Sequence, residues 1–358
     1  MGISKTVIAI VAVVAVVAAG AGIAYVVMND ESVDGIVDGT GRVVNVGTSN
    51  RVVTTSATVA EIICGLGGYS KLVGVTMDSS YGVDEYIPGI PNDNYPKLIN
   101  DGLDNGTLVN LGPMWEMSAE SVLLANPDLV IMGGYFNSPA TISALEDMGV
   151  PVVILKDDNA FDNIYFNIEL VGKVIGKVSE AEVLVGQVKS AIGKIVDWTK
   201  SIGAPSQSVA VLMGLGGDWG DAYACGEAYI LGTPLITTLG GTNAFSNISE
   251  MYLPVPTESI LTADPDIIID VTPATRAALD AVKTDPLLKE ISASKNNRVY
   301  GAFESSGTAF TLTTQGFVSG VAMMAMFMYE DYLDFSIDNY LGSDYADYLK
   351  LFWEQVNA

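Results

Sequence analysis

The sequence predicts an α/β protein: two similar lobes with mostly parallel sheets flanked by helices, linked by one long interlobe helix, plus an N-terminal transmembrane helix. Three observations carry this. Glu120–Ile131 (ESVLLANPDLVI) and Glu258–Ile269 (ESILTADPDIII) agree at Glu, Ser, Leu, Ala, Pro, Asp and the final Ile, as expected of two copies of one unit. Strand-like and helix-like runs alternate in each half, the pattern of a parallel sheet covered by helices. Between the halves, Leu184, Val188, Ile192, Ile195 and Trp198 fall on one helical face, and Ser179–Ile202 would span about 36 Å at 1.5 Å per residue. A chain of 358 residues is long enough for two cores.

The elements follow in order. Thr6–Val27 is uncharged and almost wholly apolar, long enough to cross a bilayer. Lys5 before it and acids after it put the amino terminus inside and the body outside; a cleaved signal peptide is the rival reading, and both export the body. No cysteine follows the run, so a thioether-lipid anchor is not expected. Residues 1–28 are therefore assigned to the anchor and 29–41 to an acidic spacer. The N-terminal lobe, 42–160, opens with β-type runs Arg42–Val46 and Arg51–Thr55, read as a hairpin. A helix over Thr58–Leu66 stops at Gly67-Gly68, and Leu72–Val75 is a strand. Tyr81–Thr107 shows no clear element. Each repeat copy is a short helix, ended before Pro127 or Pro265, and then a buried strand. Pro139–Met148 is a helix and Pro151–Leu155 a strand.

The interlobe segment, 161–204, has helical spacing from Phe161 to Lys177 and from Ser179, where Ser179 and Glu182 form a capping box. The C-terminal lobe, 205–358, begins with the strand Ser208–Met213. Leu231–Gly241 echoes Thr58–Gly68, Ala274–Val282 is a helix, Arg298–Ala302 a strand, and Gln315 onward is helical. The methionines from Met323 to Met328 read as core filler. Cys64 and Cys225, the second in a loop-like stretch, are too few for a disulfide framework.

Composition excludes several functions. A net charge of −25, from 42 acidic and 17 basic residues, argues against nucleic acid. The absence of histidine removes Ser-His-Asp and Cys-His catalysis and histidine-ligated metal sites.

With these elements in place the chain resembles the substrate-binding proteins of ABC importers for cobalamin, ferric siderophores and related iron complexes. The carriers are Arg51-Val-Val-Thr-Thr-Ser56 with Glu61-Ile-Ile and Leu66-Gly-Gly; Leu72-Val-Gly-Val; Ser118–Ile131; and Leu145-Glu-Asp-Met-Gly-Val-Pro-Val152. In the second half they are Leu239-Gly-Gly-Thr-Asn-Ala-Phe245, Val255–Leu261 through Pro265-Asp266, and Asn297-Arg-Val-Tyr300. The resemblance implies no reaction, no catalytic residue and no cofactor. It implies a monomer that captures a metal chelate in the cleft between lobes and delivers it to an ABC permease. Glu120 and Glu258 match the family's permease-docking glutamates, which meet arginine pockets. Each would also complement its helix N-terminus, worth about 0.3–1 kcal/mol.

Ligands of open α/β sheets sit at the loops after the carboxyl ends of strands. Those loops offer the aromatic residues Tyr81, Trp115, Tyr135, Trp219, Tyr223, Tyr252 and Phe303 as the ligand-binding set. Asp218, Asp221, Glu227 and Glu304 lie among them with almost no Lys or Arg, which favours a neutral or cationic ligand. A membrane-tethered sensor of the same fold, or an exported hydrolase with a carboxylate pair, are the competing readings.

Overall fold

The computed structural model describes residues 35–77, 87–91, 94–134, 138–156, 160–215, 221–271, 276–302, 314–341 and 345–358. The apolar run Thr6–Val27 lies outside them. Among the described residues no helix is long and apolar enough to cross a membrane.

The described residues form two separate sheets, one in each half, beside a small antiparallel ribbon of β1 (Ile36–Val37) and β2 (Val43–Val44). The N-terminal sheet is wholly parallel, in the order β5 (Val109–Asn110), β4 (Leu72–Val75), β3 (Val52–Thr54), β6 (Leu129–Met132), β7 (Val152–Ile154). The C-terminal sheet runs β11 (Tyr252–Val255), β9 (Ala222–Cys225), β8 (Ser208–Met213), β12 (Ile267–Asp270), β13 (Val299–Ala302), β14 (Tyr340–Leu341), with β10 (Thr242–Asn243) beside β8. Here β9 is antiparallel to both β8 and β11, and the other pairs are parallel. The order β4-β3-β6-β7 in one half recurs as β10-β8-β12-β13 in the other. The repeat in the sequence is thus a repeat of sheet topology.

Helices α1 (Ala57–Gly65), α2 (Tyr95–Asp104), α3 (Ala119–Leu123) and α4 (Pro139–Asp147) belong to the first half. A spine of α5 (Phe161–Val174) and α6 (Val178–Ser201) follows. The second half carries α7 (Thr233–Thr238), α8 (Thr257–Ala263), α9 (Arg276–Thr284), α10 (Ser292–Lys295), α11 (Phe317–Met328) and α12 (Tyr345–Val356).

Strand periodicity sorts the core. Val52, Ile131 and Val153, with Val209, Val211, Ile267 and Ile269, join one continuous cluster through α1, α5, α6 and α11. Their neighbours along the strands face away into two separate cores. Val53, Val130 and Val152 pack with Val122 of α3, and Ala210, Leu212 and Ile268 pack with Ile260 of α8. The methionines of α11 are buried in the shared cluster, where their flexible side chains fill space between helices.

Several expectations are corrected. Arg42–Val46 and Arg51–Thr55 do not form a hairpin. Val43–Val44 pairs backward with Ile36–Val37, and Val52–Thr54, buried on both faces, is the central parallel strand. The end of the spacer is structured: Asp38 is buried and its carboxylate accepts from Thr40 N–H (2.9 Å), Thr40 Oγ1 (2.7 Å) and Arg42 Nε (3.0 Å). Arg42 Nη2 donates to the Val152 carbonyl at 2.8 Å, and Gly39 N–H to that of Ile154 at 2.6 Å, so this turn seals the edge of β7. Tyr81–Thr107 contains α2, whose buried Tyr95 and Ile99 are one turn apart.

The interlobe segment is two helices, as its two helical runs predict, and the long one, α6, has 24 residues. The chain turns at Gly176, φ 71°, a left-handed value that glycine adopts without strain. Ser179 is not a cap, because α6 starts one residue earlier at Val178, and Lys177 Nζ pairs with Glu180 Oε1 at 2.8 Å. Cys225 ends a strand rather than lying in a loop, and both cysteines are buried and unbridged.

Candidate functional site

In each half, the end of an edge strand leads into the short helix of the repeat. In the first half β5 runs into a 3-10 turn, Met114–Glu116, that holds Trp115 63% exposed. Ser118 then caps α3, its Oγ accepting from Ser121 N–H, while Ser118 N–H donates to Ser121 Oγ, both at 3.2 Å. This fixes Glu120, exposed, in the first turn. In the second half β11 runs through Pro256 into α8, with Glu258 exposed in its first turn. Pro256 stands where Ser118 stands, so α8 has no side-chain cap.

The remaining repeated residues are structural. Asn126 (φ 47°) and Asp264 (φ 39°) take the left-handed conformation that breaks the helix before each proline. Asp128 accepts from the N–H groups of Asn50 and Arg51, both at 2.9 Å, and Asp266 accepts from Ser208 N–H at 2.9 Å. Each aspartate therefore holds the entry to the central strand of its own sheet, β3 or β8.

The aromatic candidates divide. Tyr81, Tyr135, Trp219 and Phe303 lie outside the described residues, in segments that follow the carboxyl ends of β4, β6, β8 and β13. Tyr223 and Tyr252 lie within strands, not in loops. The register pairs Tyr223 with both Met213, the last residue of β8, and Pro254 on β11, and it pairs Tyr252 with Cys225. Their rings meet edge to face with centroids 6.0 Å apart, and Tyr229 meets Tyr252 the same way at 6.4 Å. Trp115 belongs to the other half. Tyr229, in the turn after β9, is a further member of this aromatic group.

A residue that sequence reasoning passed over is Asp270. It ends β12, wholly buried, and its carboxylate accepts from Leu215 N–H at 2.7 Å, fixing the chain just before the segment that contains Trp219. Burial, and then the charge of Asp270, push the Cys225 thiol far above its ordinary value, so Cys225 is an unreactive core group. Among the described residues no cluster of three His, Cys, Asp or Glu side chains is gathered for a metal ion. Asp221 and Glu227 are exposed, and Arg276 opens α9.

The sequence model of the family described as periplasmic binding protein matches residues 52–304, which hold the first sheet, the spine and the second sheet as far as β13. The chain belongs to that family. It is 26% identical over 288 residues to the "uncharacterized ABC transporter substrate-binding lipoprotein YvrC" of Bacillus subtilis strain 168, covering 78% of this chain and 80% of that protein. It is 22% identical over 275 residues to the "Fe(3+)-citrate-binding protein YfmC" of the same strain, covering 77% and 80%. The fold is also that of the periplasmic heme-binding protein RhuT of Roseiflexus sp. RS-1, with TM-score 0.61, 23% identity, 79% of this chain and 99% of that one. As a periplasmic binding protein this chain is a solute carrier built for binding, and its chemistry is recognition.

Proposed function

We propose that this chain is an extracytoplasmic solute-binding protein. It captures a metal chelate between its two halves and delivers it to the permease of an ABC importer. One observation carries the reading: a match to the periplasmic binding protein family across the first sheet and the second as far as β13, with an exposed glutamate in the first turn of the matching helix of each half. The names of the relatives, one binding ferric citrate and one of known structure binding heme, favour an iron complex. A corrinoid is the other ligand of the same class. The scarcity of Lys and Arg around the aromatic candidates favours a neutral or cationic chelate.

In this reading Tyr81, Trp115, Tyr135, Trp219, Tyr223, Tyr252 and Phe303 supply flat apolar contact to the ligand. Glu120 and Glu258 meet arginines of the permease in charge-assisted, bidentate pairs. The Thr6–Val27 run anchors the protein with its body outside the membrane.

Two experiments test this. The purified protein is challenged with ferric citrate, ferric hydroxamates, hemin and cobalamin, and the visible spectrum of what remains bound is recorded. Retention of one of them is expected, and retention of none would remove the chelate assignment. Glu120→Ala with Glu258→Ala should leave the affinity for that ligand within about twofold while abolishing uptake by cells. Unchanged uptake would remove the docking role.

A further inference from the structure

Behind Glu258 lies an open recess of about 480 Å³. Its apolar walls are Phe245, Ile248, Leu253 and Val255, and Ser259 and Thr262 of α8 close one side. Phe245, Ile248 and Val255 are nearly buried in the outer core of the second half, so those walls are fixed, while Leu253 at 40% exposure forms a rim. The first half differs at the same place. Thr262 corresponds in the repeat to Leu124, which lies one turn after Glu120 and is 77% exposed. One repeat therefore presents a glutamate beside a protruding leucine, and the other a glutamate beside a hollow.

We propose that the recess beside Glu258 receives an apolar side chain of the ABC permease, next to the basic group that Glu258 meets, while Leu124 packs as a knob against the permease on the other side. The inference rests on the docking reading of the glutamates and specifies its partner: a surface with a cation flanked by an apolar side chain. A carboxylate on the recess wall calls for positive charge, which a second copy of this chain, at net −25, does not offer. Nor is the recess part of an interlobe ligand site, because its lining comes from the second half alone and backs onto the outer core rather than the cluster shared between halves. Burying one leucine-sized side chain there is worth about tenfold or more in affinity.

The test uses the full-length chain in the membranes of its own cell, with a photo-crosslinking amino acid at Ser259 or, on the opposite half, at the exposed Glu116. Both probes should crosslink to an ABC permease subunit identified by mass spectrometry. Thr262→Trp fills the recess and keeps Glu258. Its circular dichroism should be unchanged, and crosslinking from the Glu116 probe should fall about tenfold or more. Undiminished crosslinking in a folded Thr262→Trp variant, or a Ser259 probe that reaches only a second copy of this chain or nothing while the Glu116 probe reaches the permease, would overturn the recess and leave docking standing. If neither probe reaches a permease, the docking reading falls and the recess with it.

Discussion

Asp128→Ala and Asp266→Ala separate the structural part of the repeat from its functional part. Asp128 accepts two backbone N–H groups, from Asn50 and Arg51, and Asp266 accepts one, from Ser208, all at 2.9 Å. A hydrogen bond to a charged group contributes about 1.5–3 kcal/mol when shielded from water. Both sites are open to water, which replaces much of each bond, so about 1–2 kcal/mol is expected for Asp128 and about half of that for Asp266. The assay is urea unfolding followed by circular dichroism. Asp128→Ala should show the larger drop in midpoint, Asp128→Asn an intermediate one because its amide oxygen still accepts, and the double variant the sum of the two losses, since the aspartates serve different sheets. Both residues lie at the amino ends of the central strands, opposite the carboxyl ends where ligand is expected. Binding of the chelate should therefore be unchanged. Equal midpoints for Asp128→Ala and the parent, or a tenfold loss of ligand affinity at unaltered stability, would refute the assignment.

Two further outcomes follow from the structure. A Cβ at Gly39 would overlap the backbone of Leu155 and Lys156, so Gly39→Val should detach the Asp38–Arg42 turn from β7 and accelerate tryptic cleavage after Arg42 at least tenfold, with the two sheets intact by circular dichroism. Burial raises the Cys225 thiol, so its contribution to stability is whole below the unfolded value of about 8.5 and is lost as pH rises toward the folded value; at pH 10 this is about 2 kcal/mol. Cys225→Ala should remove that part of the alkaline destabilisation, and identical urea midpoints against pH in the two proteins would contradict it.

What could be read from the sequence was what depends on local pattern. Ser208–Met213 is a strand residue for residue, because the apolar run Val209–Met213 fits a strand buried on both faces along most of its length. Val52–Thr54 is also buried on both faces, but it is short and ends in threonine, so only its pairing with the distant β4 and β6 distinguishes it from a hairpin arm. α2 was hidden because its Asn, Asp and Gly content resembles a loop, and only the one-turn spacing of Tyr95 and Ile99 marks it. The matching first-turn positions of Glu120 and Glu258 were legible because duplication displays them twice. Asp270 was not, since its partner Leu215 is 55 residues away and a carboxylate ending an apolar strand carries no local sign of being buried.

The shared core also limits how the halves can move. Glu61 of α1 and Gln315, just before α11, are both buried, and they join the halves directly: Gln315 Nε2 donates to the Glu61 carbonyl at 2.8 Å and Gly316 N–H to Glu61 Oε1 at 3.2 Å. Phe161 of α5 meets Phe317 of α11 edge to face at 6.0 Å. Separating the halves would break these contacts and open the apolar cluster that runs through α1, α5, α6 and α11. At about 25 cal/mol per Å², each 100 Å² of apolar surface so exposed costs about 2.5 kcal/mol. A ligand shifts a conformational equilibrium only by its difference in affinity for the two states, commonly a few kcal/mol. That is too little to prise apart a core of this extent, so the halves are expected to rock only slightly about the Glu61–Gly316 contact, whatever the solute.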